Sequence, residues 1–481
     1  MSIAAAFNSS LSGLNATSRR VQLTASNVAG ALTEGYGRRE LSVSVNAYSG
    51  GVRIDGVMRQ VDQGTLRDMR LGAAASGNAG TRADALARIE TAIGDPTADG
   101  SIPARLAAFE GALIEAGSRP DSTIRLDAAV RAGDRLASAL NTATDEVQDA
   151  RRAADAGIAT QVGQLNDGLK QVQELNAQIF RLSNSGRDVS GLMDQRQTAI
   201  DELSAIVPLR EVPREGGQVA LFTTGGTILL DGRMAKIEFD PAGYVTADLT
   251  QASGALSPLI VDDIPVSMDP GGQLDGGTLA ALFDTRDRIA PGAQAGLDAL
   301  ARDLAERLQG TAVDPTLGPG DPGLFTDAGA TVLPANEVGL AGRLRLNAAI
   351  DPDAGGESWR LRDGLAAPVP GDTGSPGLLH AISDAFGGTR APSSGPAAGL
   401  ARTASGHAAD IISAVSVLRQ GAVEEQSYQA ARASTLTEQH LAGGVDTDRE
   451  MQNLLSIEQA YAANARVIQT LDTLMQQLME I

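Results

Sequence analysis

The chain has 481 residues, enough for two to four domains with cores of their own. Its formal charge of −20 excludes nucleic acid and an anionic membrane surface as principal partners, since both recruit clustered positive charge. Aromatic residues make up only 3%, with a single Trp at Trp359, so the cores must be built from Ala, Leu, Val and Ile, which suits bundles of slim helices.

From the start, Phe7, Leu11, Leu14, Ser18, Val21, Ala25 and Val28 recur at alternating spacings of four and three, a heptad seam. Arg19 and Arg20 are the only charges in residues 1–33, and such a helix is marginal alone in water. From Tyr36 the period falls to two. Leu41, Val43 and Val45, then Gly50-Gly51, then Val52, Ile54 and Val57 predict a β-hairpin. Residues 61–93 return to helix. Pro120-Asp121-Ser122 opens a helical stretch to about Gly186, with the stripe Ile158, Val162, Leu165, Leu169, Val172 and Ile179. Continuous, it spans roughly 95 Å at ~1.5 Å per residue, a rod. A short helix over Leu192 to Val207 follows.

Seventeen of the 20 prolines lie between Pro208 and Pro396, so the middle reads as strands and loops and the two ends as helix. "QVALFTTGGTILLDG" predicts two strands around Gly225-Gly226, and "KIEFDPAGYVTADL" another pair. Residues 278–310 are helical. Residues 311–395 are rich in Gly and Pro, with "RLRLNAAI" and "SWRLRDGL" as expected strands. Helix resumes from about His407. The chain closes on Leu454, Ile457, Tyr461, Asn464, Ile468, Leu471, Met475 and Leu478, spaced 3, 4, 3, 4, 3, 4, 3, a second heptad seam.

These elements predict an elongated, multidomain α+β fold. Residues 1–65 with 446–481 form a terminal helical coiled coil with a hairpin. Residues 66–206 with 278–310 and 396–445 form a long-helix bundle. Residues 207–277 form an inserted β-rich outer domain, and 311–395 a Gly/Pro-rich β and loop segment. Both chain ends are expected side by side.

Catalytic, cofactor and metal constellations are not legible. The two lysines, Lys170 and Lys236, lie outside any phosphate-binding loop, and Gly225-Gly226 reads as a hairpin turn. His380, His407 and His440 are far apart and lack metal-ligand spacing. Asp446 and Asp448 fit helix capping better than a calcium loop. The sequons at Asn8 and Asn15 read as chance matches. The absence of Cys fits a cytosolic enzyme and a disulfide-free secreted protein alike. The longest apolar run near the start, Ile3 to Phe7, is shorter than the core of a signal peptide and has no basic residue before it, and no 18-residue apolar run exists. The expectation is a cytoplasmic protein unless it leaves by a route that reads no cleavable signal.

"ASNVAGALTEGYGRRE", Ala25 to Glu40, resembles the signature S-N-N-I-A-N-x-x-T-x-G-Y of bacterial flagellar axial proteins, the rod, hook and hook-associated group. Asn27, Ala29, Thr33, Gly35 and Tyr36 match. Gly30 and Leu32 stand where Asn is usual, and Glu34 where Pro is common. "DREMQNLLSIEQAYAANARVIQTLDTL" is similar to the matching C-terminal end, including Asn453, Leu454, Gln459 and Asn464, with Asp446 replacing a usual Asn. "LMDQRQTAIDELSAIV", the stretch through "ARDLAERL" and the opening "MSIAAAFNSSLSGLNA" resemble the hook-associated branch, whose members join hook to filament.

The resemblance implies a structural adaptor without catalysis, exported through the flagellar type III channel with no cleaved signal and located on the bacterial flagellum. Its terminal helices would line a hollow tube, with the seam residues Phe7, Leu11, Leu14, Val21, Val28, Leu454, Ile457, Tyr461, Ile468, Leu471 and Leu478 facing other subunits. Implied partners are further copies of the chain, hook subunits, adjacent hook-associated or filament subunits, and an export chaperone on the C-terminal helix. No cofactor is implied. The alternatives are a hook or distal rod subunit, a secreted enzyme carried on an axial scaffold with residues 207–395 as its catalytic insert, and a cytosolic coiled-coil scaffold.

Overall fold

The computed structural model describes residues 3–46, 50–94, 98–395 and 397–479. Helix α1 (Ile3–Gly30) leads into an antiparallel hairpin, β1 (Arg38–Val45) and β2 (Val52–Gln60), registered Arg38↔Gln60 to Val45↔Val52 with a bulge at Ser42/Val43. The hairpin runs straight into α2 (Gln63–Ile93), whose first amides are capped by the Asp62 carboxylate. Then come α3 (Ile102–Ser118), α4 (Thr123–Asn184) and α5 (Ser190–Ile206). Helix α4 has 62 residues, about 93 Å at ~1.5 Å each, so the rod read from the sequence is present as one uninterrupted helix.

The β-rich insert follows. Strands β3 (Leu209–Pro213), β4 (Val219–Thr223), β5 (Ile228–Asp231) and β6 (Arg233–Met234) form one antiparallel sheet. Strands β7 (Ile237–Glu238), β8 (Leu259–Val261) and β9 (Ile264–Val266) form another. The second strand expected in "KIEFDPAGYVTADL" is absent, and β7 pairs with β8 instead. The run from Tyr244 to Leu249 is a loop. The Arg151 guanidinium fixes it by donating to the Thr246 and Leu249 carbonyls at 2.7 and 2.6 Å.

Helices α6 (Gly277–Asp284) and α7 (Ala290–Leu308) are joined by one π-turn, Thr285–Ile289. Pro291 explains it: proline has no N–H for the carbonyl four residues back and its ring crowds that carbonyl, so the helix widens there. Beyond α7 lie β10 (Phe325–Asp327), α8 (Leu340–Arg343), β11 (Leu344–Leu346), α9 (Arg360–Asp363) and α10 (Gly377–Gly387). "SWRLRDGL" is therefore a helical turn and not a strand. Its two-residue alternation is overridden by long side chains: Arg362 donates to the Pro120 carbonyl at 3.1 Å, and Arg360 to those of Leu365 and Ala367. Helices α11 (Ala404–Ala442) and α12 (Thr447–Met479) end the chain, with Asp446 accepting the Asp448 and Arg449 amides as the cap of α12.

Two apolar cores share α4. The first joins its residues 126–147 to α3, α7 and α10 and the first turns of α11. Residues 311–395, expected as a segment of their own, belong to this core. Phe325 and Phe386 both meet the Phe109 ring edge-on, at 5.9 and 5.5 Å. The second core joins Ile158, Val162, Leu165, Leu169 and Val172 to α5, α6 and the sheets. Between them α4 turns polar. Arg151 and Asp155 are buried there. Arg151 donates to the Arg286 carbonyl at 3.0 Å, and Asp155 accepts from the Arg286 guanidinium at 2.7 Å. Among the described residues, no helix is long and apolar enough to cross a membrane.

Candidate functional site

The two ends of the chain meet. Helices α1 and α12 pack antiparallel, with Gly13 opposite Asn464 and Asn27 opposite Glu450. The packing face of α1 is not the apolar seam. Its buried residues are Ser10, Ala16, Thr17, Thr24 and Asn27. Small and hydroxyl-bearing side chains let two backbones approach closely, and the Thr17 hydroxyl satisfies itself on the carbonyls of Gly13 and Leu14. A Cβ on Gly13 would lie 3.1 Å from the Asn464 amide.

The apolar seam of α1 is only partly covered: Phe7 is 42%, Leu11 48% and Val28 38% exposed, while Leu14 and Val21 are half-buried. On α12 the seam does turn inward. Leu454, Ile457, Asn464 and Ile468 are half-buried and Leu471 is buried, so Leu471 belongs to the subunit's own packing. Tyr461 and Met475 remain exposed. The side chain of Leu478 lies outside the described residues. A second set on α12, Met451, Leu455, Val467 and Leu474, is also exposed.

At the other end of this helix pair the motif residues close a polar junction. Asn27 is 1% exposed and fully used. Its oxygen accepts the Arg39 amide at 2.9 Å and the Tyr36 hydroxyl at 3.0 Å; its NH2 donates to the Arg39 carbonyl at 3.0 Å and to Glu450 at 3.4 Å. Glu450 in turn accepts from Arg38 Nε at 2.6 Å. Burial works against the Arg38 charge, but hydrogen bonds to Glu450 and Glu40 outweigh it and raise its pKa. Burial raises the Tyr36 pKa; Arg39 opposes the shift, and Asp194 and Glu450 add to it. The Arg39 guanidinium sits 4.8 Å from the Tyr36 ring centroid.

Glycine is required where the chain leaves α1. Gly35 has φ +75°, and a Cβ there would lie 2.3 Å from the Thr198 hydroxyl of α5. A Cβ on Gly30 would fall 2.5 Å from the Tyr36 ring. Thr33 forms the turn between them, accepting the Tyr36 amide at 3.2 Å. Ala29 and Gln459 are exposed, while Asn453 is half-buried.

One carboxylate bolts this assembly to the helical body. Asp194, near the start of α5, accepts from the Gly37 amide at 3.0 Å, Arg39 Nη2 at 2.8 Å and Arg59 Nε at 2.6 Å. Arg59 also donates to the Gly35 carbonyl at 3.0 Å and to Gln197. Sequence reasoning found Asn27, Gly35 and Tyr36 and noted the region of Asp194. It missed Arg38, Arg39, Arg59 and Glu450, whose partners lie up to 423 positions away with no local pattern to announce them. Among the described residues, no group of three or more His, Asp or Glu is placed to hold a metal ion.

Residues 86–311 match the family described as the flagellar hook-associated protein FlgK helical domain, and residues 442–481 the flagellar basal body rod FlgEFG protein C-terminal family. The chain is similar to flagellar hook-associated protein 1 of Salmonella typhimurium, 25% identical over 56% of this chain and 50% of that one. It is also similar to the protein of that name from Bacillus subtilis, 24% identical over 96% of this chain and 95% of that one. The match thus spans about half the length of the Salmonella relative and nearly all of the Bacillus one. The flagellar hook junction protein FlgK of Burkholderia pseudomallei superposes with a TM-score of 0.44 at 21% identity, over 54% of this chain and 46% of that one.

Proposed function

We propose that this chain, which belongs with the flagellar hook-associated proteins, is a structural adaptor that joins hook to filament and assembles through its terminal helices after type III export. The observation that carries the reading is the division of labour on α1. Its small-residue face is spent on α12, while Phe7, Leu11 and Val28 keep 38–48% of their surface in water. An exposed apolar stripe on a nearly uncharged helix is costly to leave uncovered, and further copies of the same helix pair would cover it. The names of the similar proteins support the same reading.

The exposed apolar set on α12, Met451, Leu455, Val467 and Leu474, is the surface we assign to an export chaperone. We retain residues 1–65 with 446–481 as the assembling unit and 207–277 as the outward β unit, and join 311–395 to the helical body whose core it shares. Nothing in this scheme calls for catalysis.

A strain lacking the protein, viewed by electron microscopy, should carry hooks without filaments and release filament subunit into the medium. Normal filaments on that strain would reject the adaptor reading. The match of residues 442–481 to the rod family favours one alternative, a hook or distal rod subunit. Immunogold labelling distinguishes the two: a single focus at the hook–filament boundary supports the adaptor, whereas label along hook or rod supports the alternative.

A further inference from the structure

A small polar cavity of about 150 Å³ lies between the start of α2 and α5, beside the Asp194 bolt. Its wall includes Arg59, Gln63, Arg196, Gln197 and Glu211. The volume equals roughly five water molecules at ~30 Å³ each.

The charges around it are unevenly satisfied. Arg59 is held by Asp194. The neighbouring Arg70, 3% exposed, is shared between Asp201 at 2.5 Å and Glu211 at 2.8 Å, and its third nitrogen, Nη2, is buried without a partner. Arg196 is different. It is 7% exposed, and its hydrogen-bond partners are neutral: the Asn176 side-chain oxygen at 2.8 Å and the Gly217 carbonyl at 2.7 Å, both reached by Nη1. Among the described residues, no carboxylate lies at ion-pair distance from it. Burying a guanidinium without a counter-ion is costly, which is why buried cations are ordinarily paired. Burial pulls the Arg196 pKa down; Glu211 counters, and Arg59 and Arg70 add to the depression.

We propose that this cavity binds a small oxyanion of phosphate or sulfate size, taken from solution and held by the unused nitrogens of Arg196 together with Arg59. Planar guanidinium groups match tetrahedral oxyanions in pairs of parallel hydrogen bonds. The anion would pair directly with Arg196, which Glu211, held by Arg70, does not, and would bridge α5 to the end of β2. Gln63, exposed at the cavity, is positioned to donate its amide to the same ligand.

The test uses the full chain and inorganic phosphate, with sodium chloride at matched ionic strength as reference. For the wild-type protein, Tm should climb with the logarithm of phosphate concentration, by roughly 3 °C at a hundredfold excess over Kd. The 31P resonance should broaden on adding protein, and sulfate should reverse the broadening. Arg196→Gln should abolish both effects. Because that variant removes a buried contact and can fail to fold, Gln63→Glu is the second arm: it alters an exposed side chain and sets a negative charge beside the cavity, and it too should abolish them. Arg233→Gln, in an exposed ion pair elsewhere, should leave both effects intact. An equal rise of Tm in wild type, Gln63→Glu and Arg233→Gln would be general exclusion of the salt from protein surface and would overturn the proposal. So would a wild-type Tm that phosphate does not move.

Discussion

Asp194 serves three donors from three separate segments: the loop after α1, strand β1 and strand β2. It is only 14% exposed, and removing its charge would leave Arg39 and Arg59 with no carboxylate partner. Asp194→Asn should therefore lower stability by roughly 3 kcal/mol, the low end for breaking a buried pair because solvent still reaches part of this one. Urea unfolding measures the loss, and amide exchange at Gly37 should accelerate in step. A loss below about 0.5 kcal/mol, the range of ordinary surface changes, would show that the bolt is ornamental. His440 gives a pH prediction. Burial lowers its pKa, Arg70 and Arg59 push the same way, and Asp201 and Asp62 oppose. Its Nδ1 lies 3.4 Å from the Thr65 hydroxyl on α2. A histidine whose folded pKa is depressed contributes stability that is present above its unfolded value of about 6.5 and is lost as pH falls through the folded value. The imidazole should titrate below 6.5 by NMR, and His440→Gln should flatten that limb of the stability profile. A midpoint at or above 6.5 would contradict the burial seen here. Of these residues the sequence disclosed the motif members, because Asn27, Gly35 and Tyr36 lie within ten positions of one another. The ion pairs that complete the junction were illegible, since charge pairing across the chain leaves no periodic trace.

At the scale of elements, proline and periodicity sufficed where a segment's own pattern decides its structure. The rod α4, the hairpin β1–β2 and the strands around Gly225-Gly226 are such cases. Reading failed where a partner decides. "SWRLRDGL" alternates like a strand but is pinned as a turn by guanidinium groups reaching distant carbonyls. Strand β10 and helix α10 are shaped by the core they cover, which no short window reveals, whereas β11 lies within "RLRLNAAI", where alternation predicts a strand. The β4–β5 hairpin supplies a clean test. Gly226 has φ +92°, and a Cβ on Gly225 would lie 2.5 Å from the Gln273 carbonyl and 2.6 Å from that of Gly272. Backbone carbonyls cannot swing aside as a flexible side chain can. Gly225→Ala alone should cost roughly 1–3 kcal/mol through the backbone shift it forces, the usual scale for overpacking. Far-UV signal from α4 should survive while the sheet opens first in native-state hydrogen exchange. Wild-type exchange protection at Leu229 and Leu230 in the variant would refute the steric account.

At the scale of the molecule, the heptad seams raised one expectation that the geometry revises. The resemblance implies that both seams, side by side, face other subunits. In the folded chain the α12 seam is partly consumed by α1, and Leu471, 9% exposed, is ordinary packing within the subunit. The seam of α1 has no fully buried member, and its partner face is built from Ser, Ala, Thr and Asn, which leaves Phe7, Leu11 and Val28 partly exposed. Matching substitutions on the two helices should therefore behave oppositely. Leu471→Asp places a carboxylate in a buried position, so it should lower the melting temperature of the terminal helices in the free subunit. Leu11→Asp alters a side chain already 48% exposed, so the free subunit should melt within about 0.5 kcal/mol of wild type. In an assembled tube the same carboxylate would be buried against neighbouring copies, at a cost of several kcal/mol or a forced protonation. The expected outcome for Leu11→Asp is normal monomer melting, normal secretion into the medium and no incorporation at the hook tip, scored by immunogold. Secretion must be measured in parallel, since a chaperone or export defect would mimic failed assembly. Incorporation at wild-type levels would show that the exposed stripe of α1 is not the polymerising face. Early melting of the Leu11→Asp monomer would show instead that α1 buries this stripe within its own chain.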